Sequence, residues 1–215
     1  MKLYIIGGSG GVGKHVVEEA FKRGHEITVH GRNSSHISAP PSVKVVRREL
    51  ASLGAFEGLT GHDAVISCVG NRRSGPGPYA KLRSSANLCQ SLGAHLVSDM
   101  QSAGVKRLVA ISAAGVGDSR PGLNFVMKFL LLTSPIGVAY RDLDGMEGVF
   151  AQSSLDWYCV RPVTLAEGRA TGKVQVVNKF AASAKITRHD VAKFMVDRVE
   201  ERWPFIAHTQ QIANG

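Results

Sequence analysis

The sequence predicts an α/β protein built on a doubly wound parallel β-sheet with helices on both faces. Three observations predict this class: a strand, glycine turn, helix and strand at the start of the chain, a regular alternation of strands and helices after it, and glycine-, proline- and serine-rich loops where strands end. We expect the strand order 3-2-1-4-5-6 with a short seventh strand.

The first unit spans residues 2–32. Residues 2–6 (KLYII) read as a buried strand, residues 7–13 as a glycine turn opening a helix, and residues 26–30 (EITVH) as the next strand. Such a unit brings backbone N–H groups and a helix N-terminus to one point, where a pyrophosphate can bind. The spacing G-x-x-G-x-x-G differs from the P-loop pattern. The unit therefore predicts a nucleotide site in a Rossmann-like fold.

The residues after the second strand select the cofactor. An acidic residue at this point holds the ribose 2′-OH of NAD, whereas an arginine accommodates the 2′-phosphate of NADP. The sequence has Arg32, with Asn33 and Ser34 as neutral neighbours, and no carboxylate. A planar guanidinium suits a phosphate. We therefore expect NADP(H) rather than NAD(H).

The other elements follow at regular intervals. Strands are predicted at Val43–Val46, Ala64–Val69, Arg107–Ser112, Trp157–Val160 and near Phe205–Ala207, and helices at Tyr79–Ala103, Val138–Gln152 and His189–Glu201. The loops Asn71–Pro78 and Ala113–Gly122 follow strand ends, where functional loops belong. We expect one domain over residues 1–215, with a substrate cleft formed by its own C-terminal loops.

Composition narrows the class of protein. The chain of 215 residues carries three cysteines, an odd number that favours free thiols, and no transmembrane segment or leader is expected, which predicts a cytoplasmic protein. Its net charge of +9 is scattered, so no specific nucleic-acid partner and no membrane partner is expected. A positive field would steer an anionic ligand, although a merely basic surface explains the charge equally well. Eight histidines without paired spacing predict no metal site.

Several segments together resemble the atypical branch of the short-chain dehydrogenase/reductase superfamily. Within it, the chain is similar to the small NAD(P)H-binding proteins typified by biliverdin-IXβ reductase/flavin reductase and to the NmrA-like group. The segments that carry the resemblance are the glycine turn, Arg32, and residues 61–70 (GHDAVISCVG), 103–115 (AGVKRLVAISAAG), 154–162 (SLDWYCVRP) and 186–192 (ITRHDVA).

The resemblance implies roles for individual residues. The cofactor-binding set that it implies is Gly7, Gly10, Gly11, Val12 and Gly13 at the phosphates, Arg32, Asn33 and Ser34 at the 2′-phosphate, Glu49 and Leu50 at the adenine, Cys68, Val69 and Gly70 at the adenosine ribose, and Arg161, Pro162 and Val163 at the nicotinamide. Ser112 would face the nicotinamide and the substrate.

The chain departs from the superfamily's Tyr-x-x-x-Lys pair. Tyr140 is present, but Asp144 stands four residues on, where the family has lysine. A carboxylate one turn away disfavours the deprotonated form of Tyr140. The residue that transfers the proton is therefore left open between Tyr140 and Ser112. The active-site histidine that biliverdin reductase-like proteins carry after the sixth strand is also absent, and Val163 and Thr164 stand near that position here.

The resemblance implies an NADPH-dependent oxidoreductase that transfers hydride to a small, planar, conjugated acceptor such as a flavin, quinone or tetrapyrrole. Two alternatives remain open. One is a non-catalytic, NmrA-like protein that senses NADP(H) and signals to a protein partner, which the missing lysine favours. The other is a biosynthetic enzyme that reuses the same fold.

Overall fold

The computed structural model describes residues 1–31, 40–47, 56, 58–75, 77–179, 181 and 183–215. Its strands are β1 (Lys2–Ile6), β2 (Glu26–Gly31), β3 (Lys44–Arg47), β4 (Ala64–Ser67), β5 (Arg107–Ile111), β6 (Asp156–Pro162), β7 (Thr164–Ala166), β8 (Val174–Val176), β9 (Lys185–Thr187) and β10 (Thr209–Asn214). Its α-helices are α1 (Gly13–Lys22), α2 (Leu88–Ala103), α3 (Phe125–Thr133), α4 (Ile136–Ala151) and α5 (Arg188–Val199), and a 3-10 helix spans Gly117–Gly122.

The main sheet has the order β3-β2-β1-β4-β5-β6-β10-β8. Its strands run parallel except β8, which pairs antiparallel with β10 at one edge. The predicted order 3-2-1-4-5-6 is therefore confirmed, and β10 is the seventh strand. Strands β7 and β9 form a separate parallel pair.

Helices cover both faces of the sheet. Successive residues of β1 point to opposite faces, so Leu3 packs with α1 and α5, whereas Tyr4 packs with α2 and α4. Both side chains are fully buried. Because neither face meets water, the central strands are continuously apolar, which explains why the sequence reveals them clearly.

Two predicted elements differ from the structure, and others are absent from the prediction. The helix predicted from Tyr79 begins only at Leu88, because the preceding loop folds back on itself through a bridge between Arg73 and Leu82. Helix α3 and strands β7, β8 and β9 are absent from the prediction. The last strand starts at Thr209, not at Phe205, and its polar start is placed by pairing with β6. Among the described residues, no helix is both long and apolar enough to cross a membrane.

Candidate functional site

A cavity of about 800 Å³ opens at the carboxyl ends of β1, β4 and β5. Its walls come from the glycine turn, from the loops after β4 and β5, and from β7 and the start of α5. The lining residues are Gly7, Ser9, Gly10, Gly11, Val12, Cys68, Val69, Gly70, Asn71, Arg72, Leu88, Ile111, Ser112, Leu143, Leu165 and Arg188. Eight of the residues that the sequence indicates are among them: Gly7, Gly10, Gly11, Val12, Cys68, Val69, Gly70 and Ser112.

Two positions of the glycine turn accept only glycine, one because of its backbone conformation and one because a side chain has no room. Gly7 has a φ of +77°, which favours glycine. A Cβ on Gly13, the first residue of α1, would lie 2.1 Å from the carbonyl oxygen of Gly7. A side chain at that point would push the turn off the helix. The turn therefore presents bare backbone to the cavity directly before a helix N-terminus, as binding of a pyrophosphate requires.

The loop after β4 is fixed by a buried carboxylate. Asn71, which lines the cavity, donates a 2.6 Å hydrogen bond from its side-chain nitrogen to Asp142 of α4. Asp142 also accepts the backbone N–H groups of Cys89 and Gln90, at 2.9 Å each, in the first turn of α2. Asn71 was not predicted as a site residue, because its partner lies 71 residues away in the sequence.

Ser112 follows β5 and lines the cavity. Its backbone N–H donates a 2.7 Å hydrogen bond to the carbonyl of Val160, so pairing with β6 holds its position. The residue is only 7% exposed, and its hydroxyl has no hydrogen-bond partner in the part of the chain that the structure describes. A buried hydroxyl without a partner is unfavourable unless a ligand supplies one, so this residue fits a bound cofactor or acceptor.

Tyr140 lies outside the set of lining residues. Its hydroxyl donates a 3.2 Å hydrogen bond to the carbonyl of Ala114, in the loop that follows Ser112. Burial raises the pKa of Tyr140, and the nearby guanidinium of Arg73 opposes that rise. The structure thus brings a cation near Tyr140 from a distant loop, although no lysine stands one turn along α4.

Arg161, Pro162 and Val163 lie behind the loop that carries Ser112. The guanidinium of Arg161 is 4% exposed and binds the carboxylates of Glu147 (3.0 Å from Nε to Oε1) and Asp118. The carbonyl of Pro162 accepts the N–H of Ala114 at 3.0 Å, and the N–H of Val163 donates to Ile212. None of the three lines the cavity, and Arg161 is engaged by protein carboxylates.

Two arginines at the cavity were missed by sequence reasoning. Arg188, the first residue of α5, packs on the glycine turn: a Cβ on Gly11 would lie 2.9 Å from its Nε. It also pairs with Glu167 at 2.6 Å. Arg72 lines the wall formed by the loop after β4. The quoted segment 186–192 contains Arg188, but only the fold shows that it faces the turn.

Five residues of the implied cofactor set, Arg32, Asn33, Ser34, Glu49 and Leu50, lie outside the described residues. The cysteines offer no thiol nucleophile. Burial raises the pKa of Cys68 to about 12 and raises the pKa values of Cys89 and Cys159 as well. All three are free thiols.

The sheet order and the glycine turn beneath a cavity define a dinucleotide-binding protein of the Rossmann-like class. A family model described as NAD(P)H-binding matches residues 7–202. The chain belongs to this NAD(P)H-binding family, as the resemblance seen in the sequence implies.

Similar proteins extend over the whole chain. The uncharacterized protein YwnB of Bacillus subtilis (strain 168) is 27% identical, and the match covers 93% of this chain and 92% of YwnB. A Bacillus halodurans protein, provisionally named an NAD-dependent epimerase/dehydratase, is 25% identical with a TM-score of 0.78, covering 100% of this chain and 94% of its own. ChuY of Escherichia coli O157:H7, an anaerobillin reductase, is 20% identical with a TM-score of 0.75, covering 100% and 97%, a likeness that shows the fold alone.

Proposed function

We propose that this protein is an NADPH-dependent oxidoreductase that reduces a planar, conjugated acceptor such as a flavin, quinone or tetrapyrrole. The observation that carries the proposal is Ser112, which lines the cavity at the end of β5 and whose buried hydroxyl has no hydrogen-bond partner among the described residues. An enzyme that must orient two flat rings needs such a donor beside them.

The cofactor is held, in this proposal, by the glycine turn and the start of α1 at its phosphates. Arg188 adds a positive charge beside Gly11, and Arg32 favours the 2′-phosphate of NADPH. When bound, the nicotinamide supplies a hydride, which is chemistry of the cofactor and not of the protein. The domain over residues 1–215 then supplies both the cofactor site and the acceptor cleft.

The acceptor would meet the aliphatic residues of the cavity lining. Ile111, Leu143 and Leu165 line the cavity together with Ser112. Flat aliphatic walls stabilise a conjugated ring by burying its apolar surface, while one hydroxyl fixes its orientation. ChuY, which shares the fold, is an anaerobillin reductase, and this supports a reductase with a small-molecule acceptor.

Proton delivery is assigned to Ser112 or to solvent in this scheme. The Tyr140 hydroxyl donates to the carbonyl of Ala114, and burial raises its pKa. Both features make Tyr140 a poor acid. The Ser112 hydroxyl is not engaged by any described residue and, in this proposal, holds a polar atom of the acceptor in place.

The test is NADPH oxidation, followed by absorbance, against a panel of flavins, quinones and tetrapyrroles. Ser112→Ala should lower kcat about tenfold or more while NADPH affinity stays unchanged, as expected for an interaction made in the transition state. Ser98→Ala, on the exposed face of α2, is the matched control and should keep parental activity. Unchanged turnover in Ser112→Ala would support the reductase activity but contradict a role for Ser112 in it.

The second candidate is a non-catalytic NADP(H) sensor. Two features of Tyr140 favour it. No lysine stands four residues after Tyr140, and the Tyr140 hydroxyl donates its hydrogen bond to the backbone carbonyl of Ala114. Tight NADPH binding with no turnover of any acceptor in the panel would favour this candidate over the reductase.

A further inference from the structure

Two histidines and a glutamate meet where α1 packs against α5. His15 and Glu18 lie one turn apart on α1, and His189 lies in the first turn of α5. Their imidazole nitrogens and carboxylate oxygens, one ligand atom from each residue, all lie within 4.8 Å of one another. In the part of the chain that the structure describes, no other group of three such side chains is brought together.

The two imidazoles are in contact with each other. The ring centroids of His15 and His189 are 3.6 Å apart, and the ring planes are inclined by 31°. Nδ1 of His189 lies 2.8 Å from the carbonyl oxygen of Gly168, so Nδ1 carries the hydrogen and Nε2 is left as a lone-pair donor. A backbone carbonyl that fixes the tautomer in this way is the usual second contact of a metal-binding histidine.

His15 supplies a second observation. Its Nδ1 atom is buried and has no hydrogen-bond partner among the described residues; the Glu18 carboxylate, 3.6 Å away, is beyond hydrogen-bond distance but within ion-pair distance of a protonated His15. Buried nitrogens are normally satisfied. An ion between the imidazoles and the carboxylate would satisfy it.

We propose that His15, Glu18 and His189 bind a divalent transition-metal ion that joins α1 to α5. Two imidazole nitrogens and one carboxylate oxygen form a donor set suited to Zn²⁺, Co²⁺ or Ni²⁺, with water at the remaining positions. Mg²⁺ prefers oxygen donors and should not bind. Sequence reasoning expected no metal site, because the two histidines are 174 positions apart.

The site lies beside the residues that hold the cofactor phosphates. His15 follows the glycine turn by two residues, and His189 follows Arg188, whose side chain packs on Gly11. A cation here would brace the two helix N-termini that flank the turn. It would also add positive charge near the phosphates.

The experiment is titration calorimetry of untagged protein with ZnCl₂, and with MgCl₂ as the negative control. We expect saturable one-to-one Zn²⁺ binding, weakened about tenfold or more in His15→Ala, His189→Ala and Glu18→Gln. His95→Ala, which removes an exposed histidine of α2, and Lys22→Ala, which removes the competing 2.9 Å partner of Glu18, should retain binding.

A second readout does not depend on variants. Co²⁺ bound to the parent protein should show ligand-field absorption bands, and Zn²⁺ should displace it. No saturable binding of Zn²⁺ or Co²⁺, or equal affinity in the parent and in the folded Glu18→Gln variant, would overturn the proposal. Binding of Mg²⁺ as tight as that of Zn²⁺ would overturn it too.

Discussion

The carboxylate of Asp142 accepts a 2.6 Å hydrogen bond from the side chain of Asn71, although the two residues are 71 positions apart in the sequence. Asp142 is 3% exposed and belongs to α4. The same carboxylate caps the first turn of α2 through the N–H groups of Cys89 and Gln90. A single buried charge thus fixes one wall of the cavity and the start of a helix.

Asp142→Ala should lower the free energy of unfolding by about 2–4 kcal/mol, because it leaves buried N–H donors without an acceptor. Urea denaturation measures this loss. Asp144→Ala is the control, since the half-exposed Asp144 lies 4.0 Å from Arg120 and its loss should change stability by less than about 1 kcal/mol. Equal losses in both variants would contradict the role of Asp142.

Gly13→Ala should disrupt the phosphate-binding turn. The new Cβ would lie 2.1 Å from the Gly7 carbonyl oxygen, so the turn must move away from α1. We expect NADPH affinity to fall about tenfold or more, measured by fluorescence titration, with a stability loss of about 1–3 kcal/mol. Gly148→Ala in α4 has open space around it and should be neutral or stabilising.

Arg188→Ala should weaken NADPH and NADH binding by similar factors, about tenfold, because both dinucleotides carry the pyrophosphate. The arginine contacts the turn at Gly11. Arg120→Ala, a half-exposed arginine that does not line the cavity, is the control. If Arg188→Ala bound both cofactors as tightly as the parent protein does, Arg188 would not contact the pyrophosphate.

Arg32→Ala should act on NADPH alone. The expected loss is about 1.5–3 kcal/mol of binding free energy, tenfold or more in Kd, whereas NADH affinity should stay the same. Paired titrations of the two cofactors check the selectivity. Equal affinity of the parent protein for NADPH and NADH would refute the assignment of the 2′-phosphate contact.

Acid should destabilise the protein through Asp190. Burial opposes its charge, but hydrogen bonds from the N–H groups of Thr171 and Gly172 outweigh burial and lower the pKa of Asp190 to about 2. Since the pKa is lower in the folded protein, the stabilisation is present above about pH 4 and is lost as the pH falls toward 2. It amounts to about 2 kcal/mol.

Unfolding followed at a series of pH values measures this dependence. Asp190→Asn should flatten the slope between pH 4 and 2, whereas Asp144→Asn should leave it unchanged. If the free energy of unfolding of Asp190→Asn fell with pH as steeply as that of the parent protein, other carboxylates would cause the acid sensitivity.

The elements that sequence reasoning found are those whose own residues specify them. The apolar runs of β1 and β4 and the glycine turn of residues 7–13 reflect local constraints, namely burial on both faces and the lack of room for side chains. The alternation of strands and helices then predicts the sheet order, because parallel connections have one favoured hand.

The missed features depend on contacts between distant parts of the chain. Strand β10 begins with Thr209, Gln210 and Gln211, which lack an apolar pattern and are placed by pairing with β6. Asn71 and Arg188 face the cavity because of partners in α4 and at Gly11. No pattern within a sequence window reveals such neighbours.

Helix α3 packs on α4 at the outside of the molecule and exposes Phe125 and Leu132 by 81% and 83%. No strand of the main sheet passes through this segment, which lies between β5 and β6. The length and composition of the segment that contains α3 can therefore change without altering the strands of the main sheet or the glycine turn. Proteins that share this sheet and glycine turn can in this way differ in the molecules they act on.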